Sequence, residues 1–254
     1  MTLNRAFVFR GEGIECEEEL FRALCHFKHK EFSRIDFWNL PAFRKNSKSF
    51  YEVLNPGDWV FLPGGFSFSD HFGSGRLLAD LLNQTDFAQN LLAKKAHALG
   101  ICNGFQTLVS LGVFGSGVQL LSNSPRGFVD KWVGLKTVGP NEIEEKFRFA
   151  VRHGEGRLVG LSKLDSLSKV FLKYDDEIFT NGSEEAAAGV VKIFENGSHV
   201  WGLMPHPEVA MRKRDDPAFR GPQFNLKSQN EVWAEPGDGL RFFEKLFTKT
   251  KGNS

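Results

Sequence analysis

Short apolar runs alternate with amphipathic stretches through the first half of the chain, the pattern of βαβ units that build a parallel sheet. Ala6 to Phe9 predicts a strand. A helix then opens near Cys16, with Glu17, Glu18 and Glu19 at its positive N-terminal end and Leu20, Phe21, Leu24 and Phe27 as an apolar stripe on which Cys25 also falls. Phe32 to Trp38 predicts a second strand, Pro41 to Tyr51 a helix opened by proline, and Asn55-Pro56-Gly57 a turn. Asp58 to Leu62 reads as a buried strand. Beyond a Gly-rich loop, Leu77 to Lys95 is helical, Ala96 to Ile101 is a strand, and Asn103 to Leu111 is a helix stopped by Gly112.

The second half is richer in β pattern, with strands expected at Phe128 to Leu135, Lys146 to Val151, Val170 to Tyr174, Ala188 to Phe194 and His199 to Met204. The last two flank Glu195-Asn196-Gly197-Ser198, whose Asn-Gly pair predicts a hairpin. A helix at Gly239 to Lys249 closes the pattern. Arg212 to Pro236 mixes charges, prolines, Gln and Asn without a period and is expected to be a surface loop insertion. No internal repeat and no Gly/Ser/Pro-rich linker divides the chain, so one domain over residues 1–254 is expected.

Composition narrows the function. With 32 basic and 31 acidic residues, a net charge of +1 supplies no global field for nucleic acid or an anionic membrane. No apolar run is long enough for a membrane span or a signal h-region, which predicts a cytoplasmic protein and leaves the Asn181 and Asn196 sequons as turns. Three cysteines, Cys16, Cys25 and Cys102, are too few and too irregularly spaced for a disulfide framework or a cysteine-built zinc site. The histidines likewise show no metal-ligand spacing, so no metal site is expected.

Chemistry concentrates at three strand ends. Gly100-Ile101-Cys102-Asn103-Gly104 is the thiol form of a G-x-S-x-G nucleophile elbow, with glycines leaving room for a sharp strand-to-helix bend. A thiolate there faces the helix dipole, and the Asn103 amide points to where an oxyanion forms. A free cysteine is more often a core thiol, so the elbow needs a base to mean catalysis. Met204-Pro205-His206-Pro207-Glu208 supplies one: positions i and i+2 of an extended segment share a side, which lets Glu208 orient His206. Sites of open α/β sheets lie at the carboxyl ends of strands, where both would sit. The adjacent Gly64 and Gly65, after the Asp58 to Leu62 strand, offer Gly65 as a second oxyanion donor beside Asn103. Neither Gly-rich stretch has a nucleotide-binding form.

Together, Gly100 to Gln106, Pro63-Gly64-Gly65-Phe66-Ser67-Phe68-Ser69-Asp70 and Met204 to Glu208 resemble the class I, triad-type glutamine amidotransferases. His153-Gly154-Glu155-Gly156-Arg157, Asn181-Gly182-Ser183 and Asp238-Gly239 narrow the resemblance to glutaminase subunits of phosphoribosylformylglycinamidine synthase. The resemblance runs in order from about Phe7 to Phe247. It implies a flavodoxin-like α/β fold, an open and mostly parallel sheet with helices on both faces and a smaller antiparallel portion. It also implies that Cys102 attacks glutamine, His206 moves the proton, Glu208 orients His206, Gly65 and Asn103 hold the oxyanion, and Gln106 with Gly154 and Glu155 grips the amino-acid end. Ammonia would go to an ATP-dependent synthetase subunit, with or without a small bridging subunit, and ATP and magnesium would belong to that partner.

The chain departs from the family pattern at Phe9 to Glu17, at Gly73 where an arginine is usual, and at Arg152 where an alanine is usual. These changes fall outside the catalytic set and bear on the partner-facing surface. Cys16 and Cys25 are expected to be structural. The alternatives are a stand-alone γ-glutamyl hydrolase or other triad cysteine hydrolase, and a non-catalytic amidotransferase-like binding or regulatory module.

Overall fold

Residues 3–139, 144–175, 181–219 and 235–251 are described by a computed structural model. Its strands are β1 (Asn4–Arg10), β2 (Phe32–Asn39), β3 (Trp59–Leu62), β4 (His97–Ile101), β5 (Gln119–Leu121), β6 (Val129–Thr137), β7 (Lys146–His153), β8 (Arg157–Val159), β9 (Ser168–Tyr174), β10 (Ala187–Ile193) and β11 (His199–Leu203). Its helices are α1 (Glu17–Cys25), α2 (Leu40–Lys45), α3 (Ser47–Val53), α4 (Arg76–Asn83), α5 (Phe87–Ala93), α6 (Asn103–Ser110) and α7 (Asp238–Lys251).

Nine strands form one sheet in the order β2-β1-β3-β4-β11-β10-β9-β6-β7. Pairings from β2 to β11 are parallel, and those from β11 to β7 are antiparallel. Only β10 and β6 therefore run against the other strands. The mostly parallel sheet with an antiparallel portion is as expected, and that portion extends the parallel sheet instead of forming a separate layer. β5 and β8, short and without a clear sequence period, make a two-stranded ribbon that the hydrophobic pattern did not indicate.

Strand alternation sends phenylalanines to both faces. On one, Phe9 lies 5.3 Å from both Phe43 of α2 and Phe50 of α3, and 6.1 Å from Phe87 of α5. On the other, Phe247 of α7 meets Phe32 and Trp59, each at 5.1 Å. Both faces are thus covered by helices. Phenylalanine suits such a core because it carries large apolar area without a polar atom that needs a partner.

Two expected helices are each a pair. Asn46 leaves the helical region between α2 and α3, and its side chain accepts from the Ser49 N–H, a local cap that competes with helix continuation. The Leu77 to Lys95 stretch divides into α4 and α5 at Asp86, whose φ of 51° is left-handed. The hairpin at Asn196-Gly197 forms as predicted, with the Asn196 carboxamide accepting from the Ser198 N–H and Oγ. In the expected 212–236 loop, residues 220–234 lie outside the described residues. Its ends meet: Arg212 bridges Pro236, the Lys213 N–H donates to the Glu235 carbonyl at 3.1 Å, and Gly237 N–H to the Met211 carbonyl at 2.9 Å. Among the described residues, no helix is long and apolar enough to cross a membrane.

The parallel register decides where the chemistry falls. Leu62 aligns with Gly100 and Gly100 with Gly202, so β3, β4 and β11 end together. β7, running the same way as β11, brings Arg152 and His153 to that edge, and Ala150 bridges His206 there.

Candidate active site

Cys102 sits between β4 and α6 with φ 50° and ψ −106°, a strained left-handed conformation for a residue bearing Cβ. The predicted glycines make it possible. A Cβ on Gly104 would lie 1.9 Å from the Leu62 carbonyl oxygen, and one on Gly100 would lie 2.6 Å from the Gly104 carbonyl. The bend holds the nearly buried thiol at the N-terminus of α6, where it donates to the Arg152 carbonyl at 3.6 Å. The first amides of α6 have no partner within the helix, which leaves them for an anion.

His206 follows β11 and is buried, with its N–H fixed to the Ala150 carbonyl at 2.9 Å. Its Nδ1 pairs with Oε1 of buried Glu208 at 2.6 Å, and among the described residues Nε2 has no hydrogen-bond partner. Burial pulls the His206 pKa down. The Glu208 carboxylate first, and then the sulfurs of Cys102 and Cys16, outweigh that and hold it well above the ordinary histidine value. The three residues proposed from the motifs therefore share one edge of the sheet, with His206 and Glu208 directly bonded.

The loop after β3 crosses this edge. Gly64 accepts from the Glu15 and Cys16 N–H groups at 3.2 and 3.1 Å, and the Phe66 N–H donates to Gly13 at 2.8 Å. These bonds flank the Ile14–Gly65 bridge, and in that pattern the Gly65 N–H turns away from residues 13–15. Phe68, Ser69 and Asp70 then make a left-handed turn with φ of 54°, 56° and 51°, a conformation that costs about 1–2 kcal/mol per residue. Hydrogen bonds offset this cost. Buried Asn103 accepts from the Ser67 N–H at 3.1 Å and donates to Asp70 and to Gln106, both at 2.9 Å. Asp70 also accepts from Ser74 Oγ at 2.9 Å. Burial pushes its carboxyl up, while the Ser74 and Asn103 bonds oppose the shift.

Gln106, Gly154 and Glu155 also converge. The Gln106 amide donates to the Glu155 carbonyl at 2.6 Å, and the Gly154 carbonyl accepts from the Asn123 N–H at 2.9 Å. Asn123 is a node here. Its Nδ2 donates to the His153 carbonyl at 2.8 Å, and its Oδ1 accepts from Gly156 N–H at 3.1 Å and faces His153 Nδ1 at the same distance. Asn181 closes the turn by donating to the Gly156 carbonyl at 2.8 Å. Burial first, then the charge of His206, lowers the His153 pKa to about 4, so its imidazole is neutral.

The two cysteines expected to be structural separate. Cys25 is exposed: it follows Leu24 by one residue and so points about 100° away from the Leu20–Leu24 stripe. Cys16 instead joins the site. Its Sγ, a His206 ring nitrogen and a Glu208 oxygen lie within 4.8 Å of one another. That set has the residue types of a metal site, but the 2.6 Å His206–Glu208 bond already engages two of its members. Burial raises the Cys16 pKa despite the contact with His206, keeping it a thiol. Burial, with Cys102 next, likewise raises that of Tyr174. Tyr174 carried no sequence signal, and Cys16 was read only as a structural cysteine, because both reach the site through contacts distant in the chain.

Residues 3–247 match the CobB/CobQ-like glutamine amidotransferase domain family. The chain is 33% identical to the phosphoribosylformylglycinamidine synthase subunit PurQ of Thermotoga maritima over 216 residues, 82% of this chain and 89% of that protein. The chain belongs to the PurQ family of glutamine amidotransferases. A second PurQ, from Aquifex aeolicus, is 36% identical over 178 residues, covering 62% of this chain and 74% of its own. The solved structure of PurLQS from Thermotoga maritima superposes with a TM-score of 0.68 at 29% identity, covering 97% of this chain and 99% of that one. This PurQ-family chain thus has the fold and the family that its elbow, MPHPE and HGEGR segments suggested.

Proposed function

We propose that the chain hydrolyses glutamine to glutamate and ammonia through Cys102, His206 and Glu208, as the glutaminase subunit of phosphoribosylformylglycinamidine synthase in purine biosynthesis. One observation carries the reading: a thiol on a left-handed elbow shares its sheet edge with a buried His206–Glu208 pair at 2.6 Å. The Cys102 sulfur attacks the side-chain amide carbon of glutamine. His206, its proton stabilised by Glu208, faces the sulfur with positive charge and delivers the proton to departing ammonia. The N–H groups of Gly65 and Asn103 receive the oxyanion, a contact whose loss typically costs about 10²–10³ in turnover. Water then cleaves the thioester, with His206 as base. Gln106 fixes the Gly154–Glu155 strip against which the amino-acid end of glutamine rests.

The ammonia passes to an ATP-dependent synthetase chain that converts formylglycinamide ribonucleotide to the amidine. ATP and magnesium sit on that chain, and a small subunit can bridge the two. Likeness to a structure named PurLQS supports assembly with further chains. The test is Cys102→Ala in the reconstituted complex. Glutamine-dependent synthesis should vanish while synthesis from added ammonium persists, and loss of both would refute the assignment.

A further inference from the structure

A cleft of about 880 Å³ shares Gln106 and Glu155 with the site and runs outward between α4, α6 and β5, lined also by Ser74, Arg76, Asp80 and Gln119. Arg76 is the only cation among its lining residues, and Asp80 and Glu155 are its acids. The corner nearest Cys102 is a fixed one. Gln106, about 6 Å further along α6 than Cys102, holds the Glu155 carbonyl, while Glu155 Oε2 accepts from the Ser74 N–H at 3.2 Å. That offset is comparable with the distance from the side-chain amide of glutamine to its α-carboxylate.

Arg76 lies folded over Gly73. A Cβ at position 73 would stand 3.1 Å from Arg76 Nε and 3.2 Å from its Cδ, so the absent side chain makes the bed for the arginine. The other arginines near the site are engaged: Arg152 faces Asp130 at 3.7 Å, and Arg157 Nε donates to the Ser122 carbonyl at 3.0 Å. Arg76 makes no ion pair among the described residues. A guanidinium without an ion-pair partner among the described residues, in a cleft that also holds the Asp80 and Glu155 carboxylates, can meet the anionic end of a free amino acid while an acid meets its ammonium, and its planar fork fits a carboxylate bidentately.

We infer that Arg76 binds the α-carboxylate of glutamine and so selects the free amino acid over neutral amides. The inference rests on the glutaminase reading above and adds a specificity residue to it. Arg76 is remote from the bond being broken, so its contact is equal in ground and transition states and governs KM rather than kcat.

The experiment measures kcat and KM for glutamine and for its α-methyl ester, which keeps the amide and ammonium but lacks the carboxylate charge. It uses the complex reconstituted with the synthetase chain, carrying wild type, Arg76→Ala or Arg76→Lys. Arg76→Ala should raise KM for glutamine roughly 10- to 100-fold and reduce the preference over the ester by the same factor. Arg76→Lys should recover part of both, since it keeps the charge without the fork. An unchanged KM, an equal rise for glutamine and ester, or weakened assembly in place of weakened glutamine binding would each overturn the assignment. A wild-type complex that releases no glutamate would instead overturn the underlying reading, and this inference with it.

Discussion

Gly64 is where the geometry of the triad is most open to a small perturbation. A Cβ there would lie 2.8 Å from His206 Cε1, 3.2 Å from Cys16 Sγ and 3.4 Å from Cys102 Cβ. Non-bonded carbons prefer about 3.5–4.0 Å, so Gly64→Ala demands that the His206 ring retreat by roughly 0.7–1.2 Å. Glu208 holds the ring at Nδ1 and the Ala150 carbonyl holds the His206 backbone N–H, so a retreat of the ring strains the Glu208 bond and breaks the alignment with Cys102. A misplacement of about 1 Å costs roughly 10²-fold in rate, and overpacking costs a further ~1–3 kcal/mol of stability. Steady-state kcat in the reconstituted complex should fall by about that factor, and labelling of Cys102 by a glutamine-analogue electrophile should slow in parallel. Adding Cys16→Ala removes the 3.2 Å contact and should restore part of the rate. Turnover within about twofold of wild type in Gly64→Ala would refute the reasoning, because the alanine would then fit without moving the base.

Two further outcomes test the frame around the site. Gly104→Ala sets a methyl 1.9 Å from the Leu62 carbonyl oxygen, backbone against backbone, and should cost ~3 kcal/mol or more in urea unfolding; a loss under about 1 kcal/mol would mean that the elbow relaxes. Buried His97 has its pKa lowered to about 3 by burial, with the charge of His199 second. Its unfolded value is about 6.5, so the stability from keeping it neutral is complete above that pH and is lost as the solution is acidified towards 3, about 2 kcal/mol by pH 5. His97→Asn can still accept the His199 N–H, a 3.1 Å bond in the wild type, and should flatten the pH dependence by about 2 kcal/mol between pH 7.5 and 5. Identical slopes in the two proteins would contradict it.

Strands and the elbow were legible in the sequence because their signals are local. Ala6 to Phe9 and Ala96 to Ile101 are apolar runs with turn residues after them, and the glycines around Cys102 report a bend that only they permit. The helix pairs were not legible because one polar side chain, Asn46, and one left-handed residue, Asp86, interrupt periods that otherwise continue. Site residues split the same way. Cys102, His206 and Glu208 follow from motifs on two strands. The contacts that Cys16, Gly64 and Arg76 make become visible only when the loop after β3 lies across residues 12–16 and Arg76 lies over Gly73, an arrangement with no sequence period.

The closed ends of the 212–236 segment separate its length from the geometry of the enzyme. Arg212 and Pro236 are bridged, Gly237 is tied to Met211, and Gly239 N–H reaches the Ala210 carbonyl at 2.8 Å, so the path from Glu208 to α7 is set by backbone contacts at the neck. Closure entropy grows only with the logarithm of loop length, about 0.6 kcal/mol per doubling. Residues can therefore be added or removed beyond that neck at small thermodynamic cost while the base that serves Cys102 keeps its place, which makes the segment a natural place for lineages to diverge, and for engineers to graft, without retuning the catalytic edge.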